Sequence, residues 1–216
     1  MKKASYTFRT LLCLLLAGFT FVSCSKDDDE DTTPSLNNQI EYNGTTYNIQ
    51  TGIIEDWGSV GLSDGDEDLY ISNDNVTHYN YDVSITDGTL QANSDGELEN
   101  VGATVFVYAE LLSPGTTNFT TGTFSYIEYE DDLTQEQIDA KYNNKSFFED
   151  AYIVIDANGN GTLDASDASS IAYATGGTIT VSGSNNNYTV DYNLTLDNGR
   201  TIVGSYSGDF QYFDQQ

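Results

Sequence analysis

The sequence predicts an all-β domain, an antiparallel β-sandwich or barrel, with one short helix near residues 134–142. Three observations support this fold class. Short runs of alternating apolar and polar residues recur from residue 39 onward, turns rich in Gly, Asn and Asp separate them, and a single segment carries helix-start signals. The 216-residue chain is long enough for one such domain, which we expect over residues 39–216. The pattern does not choose between sandwich and barrel.

The first two strands have a hairpin pattern. Ile40 and Tyr42 alternate with polar residues up to Asn43-Gly44, and Tyr47 and Ile49 continue the alternation beyond it. Asn-Gly between two alternating runs is the strongest short-range signal for a two-residue hairpin turn. We therefore expect the chain to reverse direction there.

The middle of the domain contains four predicted strands. In residues 78–85 the odd positions are apolar and the even positions polar, so we expect a core face and a solvent face. Residues 104–112 are apolar at both parities, which predicts a central strand covered on both sides. Further strands are expected at 123–129 and 147–155.

One helix interrupts the strands. Thr134 and Gln137 have the spacing of a capping box, and Leu133 and Ile138 occupy the two positions of a hydrophobic staple. We expect this helix to end at Asn143. The C-terminus then predicts a meander of three strands, at residues 178–182, 188–196 and 201–213.

The N-terminus predicts a secretory signal. Basic residues precede an apolar run at 11–22, which ends at Ser23-Cys24. The junction at residues 21–24 resembles a bacterial lipobox, in which the cysteine is lipidated and begins the mature protein. This resemblance implies that residues 1–23 are a lipoprotein signal peptide and that Cys24 carries the lipid. The alternative is an ordinary signal peptide cleaved near Ala17.

Residues 24–38 are polar, acidic and broken by Pro34, which predicts a flexible tether. The acidic run at 25–30 resembles the export signal of Bacteroidetes-type surface lipoproteins. That resemblance implies a lipid-anchored protein of the outer membrane, exposed on the cell surface. A plain acidic linker would instead leave the protein on the periplasmic face.

The charge of the chain limits its partners. There are 34 acidic and 7 basic residues, and three of the basic ones lie in the signal peptide, so the mature net charge is −30. Such a field repels nucleic acid and attracts cations. Both cysteines, Cys13 and Cys24, belong to the targeting segment, and the predicted domain therefore has no disulfide.

Residues 156–167 match the register of a twelve-residue calcium loop. An EF-hand loop needs oxygen ligands at positions 1, 3, 5, 7, 9 and 12 and a glycine at position 6, which is Gly161 here. Position 8 is the apolar Leu163. The six ligand positions are filled by Asp156, Asn158, Asn160, Thr162 through its carbonyl, Asp164 and Asp167.

This spacing resembles EF-hand loops, and more closely the dockerin-type variant, in which Asp is usual at position 12 and a helix follows, here expected over 165–174. The segment at 151–155 predicts a strand where EF-hands have an entering helix, and only one loop is present. The resemblance therefore implies a calcium site and not cohesin binding. We expect a structural ion with a dissociation constant on the order of 10⁻⁴ to 10⁻³ M. The alternative is a simple Asn-Gly turn.

The sequence predicts no enzyme. His78 is the only histidine, there is no zinc motif or phosphate-binding loop, and residues 204–208 have Tyr206 where a hydrolase needs serine. With 34 acidic residues, no carboxylate pair for glycoside cleavage is singled out. The acidic run at 64–68 is expected to be a solvated loop.

A binding role agrees better with the composition. Sixteen tyrosines provide amphipathic surface for sugar rings or proteins, whereas the single Trp57 is expected to pack in the core. The sequence thus predicts a non-enzymatic, lipid-anchored binding protein for a glycan or protein ligand, with a structural calcium loop. The alternatives are a structural or assembly component of the cell envelope and, after it, a glycoside hydrolase-type enzyme.

Overall fold

Fourteen strands, one α-helix and one 3₁₀ helix make up the structure, a computed structural model that describes residues 36–65, 69–92 and 98–216. The helix α1 spans Gln135–Tyr142 and the 3₁₀ helix spans Ala165–Ser170. In chain order, the strands are β1 Gln39–Tyr42, β2 Thr45–Asn48, β3 Thr51–Asp64, β4 Leu69–Ser72, β5 His78–Thr86, β6 Thr89–Ala92, β7 Leu98–Val101, β8 Val105–Pro114, β9 Gly122–Tyr126, β10 Phe147–Phe148, β11 Ala151–Ile155, β12 Ala172–Ser184, β13 Asn187–Leu196 and β14 Thr201–Asp214.

Seven of these strands pair into a closed, barrel-like ring. Antiparallel neighbours follow one another in the order β3, β5, β8, β11, β12, β13 and β14. The last strand, β14, then pairs with β3 in parallel, from Phe210 opposite Gly52 to Asp214 opposite Asp56. The prediction of an all-β fold is confirmed, and this pairing closes the sheet.

Two further pairs and the strand β4 complete the sheet, and β4 pairs with the end of β3. The hairpin of β1 and β2 adds to the first half of β14, on the side that β3 occupies further along. The strands β9 and β10 pair in parallel and bridge β12 to β8, at the end of β8 that β11 does not reach. The strands β6 and β7 form a separate two-stranded hairpin.

The interior of the ring is the main hydrophobic core. Every ring strand contributes alternate side chains to it, because successive residues of a strand point to opposite faces. A Cβ atom at Gly52 would lie 2.5 Å from the Tyr206 ring and 2.6 Å from the Phe210 ring, so glycine leaves room for both. Large buried members of this core are Phe124, Phe148, Tyr192, Ile54, Ile85, Leu111 and Ile153.

Local sequence signals produce the predicted turn and the predicted helix. Asn43 and Gly44 both have positive φ, 53° and 75°, as a two-residue hairpin turn requires. The α1 capping box is present, since the Gln137 N–H donates to the Thr134 side chain and the Gln137 Oε1 accepts from the Thr134 N–H at 2.9 Å. The helix ends at Tyr142 with Asn143 as its C-cap, as expected, and Asn144 has a φ of 60°.

Two segments differ from their predictions. The strand expected at 147–155 is divided into β10 and β11, which pair with different partners. The exit helix expected over 165–174 is a 3₁₀ helix that stops at Ser170, because Ala172 and Tyr173 pair with β11 to complete the ring. The C-terminal meander of three strands is confirmed. It consists of β12, β13 and β14, and each strand is longer than expected.

The polar face of β5 is covered, and the expectation of a solvent face is wrong. His78 is fully buried and Asn80 is 3% exposed. The Phe147 ring lies edge-on to His78, with a centroid distance of 5.4 Å, and burial lowers the pKa of His78. A second apolar cluster, formed by α1 with the outer faces of β3 and β8, covers this region; its buried members are Val60, Leu62, Leu69, Leu112, Ile138, Tyr142 and Phe147.

The predicted anchor falls outside the described residues. This applies to the signal peptide, Cys24, the tether up to residue 35 and residues 66–68 of the acidic run. The described residues from Leu36 onward form one compact unit with its own core. No helix in the described part of the chain is long and apolar enough to span a membrane.

Candidate functional site

The predicted calcium loop connects β11 to the 3₁₀ helix, and its first residue holds the turn. One oxygen of Asp156, Oδ2, accepts the Gly161 N–H at 2.7 Å, and the other, Oδ1, accepts the Gly159 N–H at 2.7 Å. Both glycines have positive φ, 73° and 85°, a conformation that residues with a Cβ rarely adopt. The glycine at position 6 thus closes the loop onto the carboxylate at position 1.

The next ligand positions are fixed by short-range hydrogen bonds. Asn158 Oδ1 accepts the Asn160 N–H, and Asn160 Oδ1 accepts the Thr162 N–H, both at 2.9 Å. Asp164 Oδ1 accepts the Ser166 N–H at 2.7 Å, and hydrogen bonds from Ser166 lower the pKa of Asp164. These side chains are therefore oriented by the loop backbone itself.

The last ligand position joins the two ends of the loop. Asp167 is fully buried, and its two oxygens accept the Ala157 N–H and the Asp164 N–H, each at 3.0 Å. The Leu163 N–H donates to the Ala103 carbonyl at 2.8 Å, which attaches the loop to the segment that leads into β8. The loop is thus fixed to one end of the ring.

The structure brings the six predicted ligand residues into one turn. Asn160 Nδ2 donates to Asp164 Oδ2 at 2.9 Å, and Asn158 Nδ2 is 3.4 Å from Asp167 Oδ1. Within the described ranges, no three acidic, histidine or cysteine side chains gather closely enough to hold a metal ion. A cation here would therefore depend on the two amide oxygens and the Thr162 carbonyl in addition to the carboxylates.

A second candidate site, which sequence reasoning missed, is a cleft on the outer face of β3, β5 and β8. Its volume is about 300 Å³, and β4 with the turn after it forms one wall. We call it the Trp57 cleft. Its lining residues are Trp57, Val60, Ile71, Ser72, Asn73, Asn80, Asp82 and Glu110.

Two carboxylates lie side by side in this cleft. Asp82 on β5 and Glu110 on β8 are directly opposite each other in the strand register. Burial raises the pKa of Asp82 to about 6. Burial first, and then the charge of Asp82, raises the pKa of Glu110 to about 7. The pair therefore holds a proton more readily than ordinary carboxylates do.

The other polar groups of the cleft fix these carboxylates only in part. The Trp57 indole N–H donates to Asp82 Oδ2 at 2.9 Å, and Asn80 Nδ2 donates to Glu110 Oε1 at 2.8 Å. Asn80 Oδ1 is a buried acceptor that has no hydrogen-bond partner. Asp82 Oδ1 has none with full hydrogen-bond geometry, although the Tyr108 hydroxyl lies close enough to Asp82 to lower its pKa. Such groups are uncommon in native proteins, because an unpaired buried acceptor is costly.

No protein-family model, curated protein or solved structure matches this chain. The interpretation of both sites therefore depends on their geometry.

Trp57 does not pack in the core, and that expectation is wrong. Its side chain is 45% exposed. The pairing of β3 with β5 shifts register between Asp56 and Gly58, and this bulge places Asp56 inside the ring and Trp57 outside it. The bulge thus presents an indole ring at the edge of the cleft.

A row of aromatic rings crosses the outer face of the ring next to the cleft. The Tyr108 and Tyr152 rings are stacked with centroids 5.0 Å apart, and the Tyr152 and Tyr173 centroids are 5.8 Å apart. Tyr173, at the far end, is 49% exposed. The charge of Asp82 contributes, after burial, to raising the pKa of Tyr108, so this row begins beside the carboxylates.

One signal in the sequence points to the cleft. Glu110 is the only charged residue in the apolar run at 104–112, and charged residues are rarely buried in a central strand without a role. Asp82 carries no comparable signal, since it belongs to a regular polar alternation. Two other segments singled out in the sequence contribute to the fold. Tyr206, from residues 204–208, is buried in the core, and Asp64, from the acidic run, accepts the Leu133 N–H at 3.3 Å.

Proposed function

We propose that this chain is a lipid-anchored cell-surface protein whose β domain binds a glycan without catalysing a reaction. Cys24 after the apolar run supports the anchor, and the acidic tether supports exposure on the outer membrane. The observation that carries the binding role is the aromatic row beside the Trp57 cleft. Exposed rings on a rigid sheet can stack on the apolar faces of sugars, and neighbouring polar groups accept their hydroxyls.

The two carboxylates of the cleft bear on both binding and glycoside cleavage. Retaining glycosidases hold their two carboxyl groups about 5–5.5 Å apart, and inverting ones about 6.5–9.5 Å apart. Asp82 and Glu110 project from the same sheet face at opposed register positions, where Cβ atoms are about 4.5–5.5 Å apart. This spacing agrees with a retaining glycosidase as well as with a binding site, and turnover measurements separate the two.

Calcium in loop 156–167 is the second part of this proposal. Its support is the hydrogen bond from the Gly161 N–H to Asp156, because it sets the turn that a twelve-residue calcium loop requires. Asp156, Asn158, Asn160, Asp164 and Asp167, with the Thr162 carbonyl, would hold the ion. In a domain without disulfides, its role would be to stabilise the junction between β11 and the 3₁₀ helix.

The test of the binding role is a glycan panel probed with residues 25–216, beside the variants Tyr173→Ala and Tyr173→Phe. We expect saturable binding, weakened about threefold or more in Tyr173→Ala, since aromatic contacts contribute about 0.5–1.5 kcal/mol. Tyr173→Phe is the matched control and should bind like the wild type, because the ring remains.

Two results would contradict the proposal. Absence of glycan binding, together with co-purification of other envelope proteins, would favour a structural or assembly component. Turnover of chromogenic glycosides that is lost in Glu110→Gln would show an enzyme.

A further inference from the structure

The Trp57 cleft is lined by hydrogen-bond acceptors and by no basic side chain. Asn80 is 97% buried, given its 3% exposure, and its Oδ1 is an acceptor without a partner in the wall of the cleft. Asp82 Oδ1 is a second acceptor, without a full hydrogen bond, and Glu110 adds a carboxylate. A ligand that satisfies this wall must therefore bring donors.

Every basic side chain in the described part of the chain lies elsewhere. Lys141 forms an ion pair with Glu130 at 3.3 Å, and Lys145 donates to the Lys141 carbonyl. Arg200 lies over the Tyr42 ring, with its guanidinium carbon 5.7 Å from the centroid. None of the three lines the cleft, so the charge of its carboxylates is not balanced from within these residues.

We propose that the Trp57 cleft binds a sugar unit with a free amino group, with the ammonium at Asp82 and Glu110 and the sugar ring against Trp57. This inference rests on the proposed glycan-binding function and names the chemical class of the glycan. A neutral sugar would satisfy the acceptors through hydroxyls but would leave the carboxylate charge unbalanced.

The chemistry of the amino group matches the lining of the cleft. An ammonium has three donors, and the lining residues Asn80, Asp82 and Glu110 carry acceptor oxygens. Two of these oxygens, Asn80 Oδ1 and Asp82 Oδ1, are covered in the free protein, so a ligand reaches them through a shift of the lining side chains. Charge-assisted hydrogen bonds to carboxylates are about twice as strong as neutral ones. The half-exposed indole of Trp57 adds an aromatic face that attracts both cations and the apolar face of a sugar.

Protonation of Asp82 and Glu110 makes the affinity for an amino sugar depend on pH. Because burial and mutual repulsion favour protonation of Glu110 in the free protein, a bound cation must displace that proton. Affinity for an amino sugar should therefore rise as the pH rises toward 7, as long as the ligand stays protonated. A neutral sugar lacks this linkage.

Trp57 makes the test direct, since it is the only tryptophan of the chain and thus the sole source of indole fluorescence. Residues 25–216 are titrated near neutral pH with three β-1,4-linked tetramers: glucosamine, N-acetylglucosamine and glucose. We expect the glucosamine tetramer to change the emission and to bind at least about tenfold more tightly than the other two. Glu110→Gln should remove that preference, and Asp82→Asn serves as the second variant if Glu110→Gln does not fold.

Each other outcome has a separate meaning. Equal binding of all three tetramers would overturn the amino-sugar inference and leave the glycan-binding function intact. Binding of none of them, with glycan binding on the panel, would place the glycan site outside the cleft and overturn the inference alone. Binding of oligolysine without any glycan, or displacement of the amino sugar by calcium, would overturn it by assigning the cleft to another cation.

Discussion

Loop 156–167 and the Trp57 cleft both present carboxylates and amides, yet they satisfy them in opposite ways. In the loop, Asp156 and Asp167 accept backbone N–H groups that lie within eleven residues along the chain. In the cleft, the polar groups come from three strands, and neither Asn80 Oδ1 nor Asp82 Oδ1 accepts a full hydrogen bond. The carboxylates of the loop are satisfied by neighbouring backbone groups, whereas the cleft holds buried acceptors without a full hydrogen bond from the protein.

Another buried carboxylate, Asp56, shows that burial alone does not produce this difference. Asp56, next to Trp57 in β3, is 2% exposed and points into the ring. It accepts from the Gly58 N–H at 2.9 Å, from the Tyr79 hydroxyl at 3.2 Å and from the Tyr212 hydroxyl. Asp56 is therefore a satisfied structural group, and what distinguishes Asp82 is an oxygen without a full hydrogen bond and its opposed carboxylate.

The largest effect should come from Asp167→Ala in the loop. The change leaves the N–H groups of Ala157 and Asp164 without acceptors, at about 1–3 kcal/mol each, so we expect a loss of about 2–6 kcal/mol of unfolding free energy. Urea denaturation measures this loss. Asp167→Asn, which keeps one acceptor oxygen, should lose less; equal stability of Asp167→Ala and wild type would show that this carboxylate does not hold the loop.

In the cleft we expect a substitution, Glu110→Gln, to raise the free energy of unfolding at neutral to basic pH. The pKa of Glu110 is raised from 4.5 to about 7 on folding, so the folded state binds more protons between these values. The contribution of Glu110 to the free energy of unfolding is therefore fully present below pH 4.5 and is lost as the pH rises through 7. Glu110→Gln removes this contribution and should be about 2–3 kcal/mol more stable than wild type at pH 8.

Denaturation at several pH values checks this slope. Glu41→Gln on β1 is the matched control, because it makes the same chemical change at an exposed glutamate outside the cleft. The difference between Glu110→Gln and wild type should move in favour of the variant between pH 5 and pH 8; a difference that stays constant over this range would contradict the raised pKa of Glu110.

A smaller effect is expected from calcium. At a tenfold excess over its dissociation constant, a ligand adds roughly 1.4 kcal/mol, which raises the melting temperature of a domain this size by a few degrees. Thermal unfolding with calcium and with chelator should show this shift in wild type and not in Asp156→Asn. Asp191→Asn, on the exposed face of β13, should shift like wild type; a shift retained in Asp156→Asn would refute the loop as the site.

The sequence predicts the features that depend on neighbouring residues. The Asn43-Gly44 turn, the Thr134 capping box and the C-terminal meander are all determined by patterns of a few residues. The spacing of loop 156–167 is of the same kind, and the structure places its residues in one turn, although whether calcium binds there stays a prediction.

The features that the sequence did not predict depend on contacts between distant segments. The parallel pairing of β14 with β3 closes the ring across more than 150 residues. The cover over His78 is supplied by α1 and β10, and the exposure of Trp57 results from a bulge in the pairing of β3 with β5. The opposition of Asp82 and Glu110 requires the strand register, which alternation alone does not specify.

The two sites can be distinguished in one nuclear magnetic resonance titration of ¹⁵N-labelled residues 25–216. The indole N–H of Trp57 reports on the cleft, and the backbone N–H of Gly161 reports on the loop. We predict that calcium shifts the Gly161 signal and leaves the indole unchanged, whereas the glucosamine tetramer shifts the indole and leaves Gly161 unchanged. A calcium titration that moves the indole signal and not Gly161 would contradict the assignment of the loop to calcium and the cleft to an amino sugar.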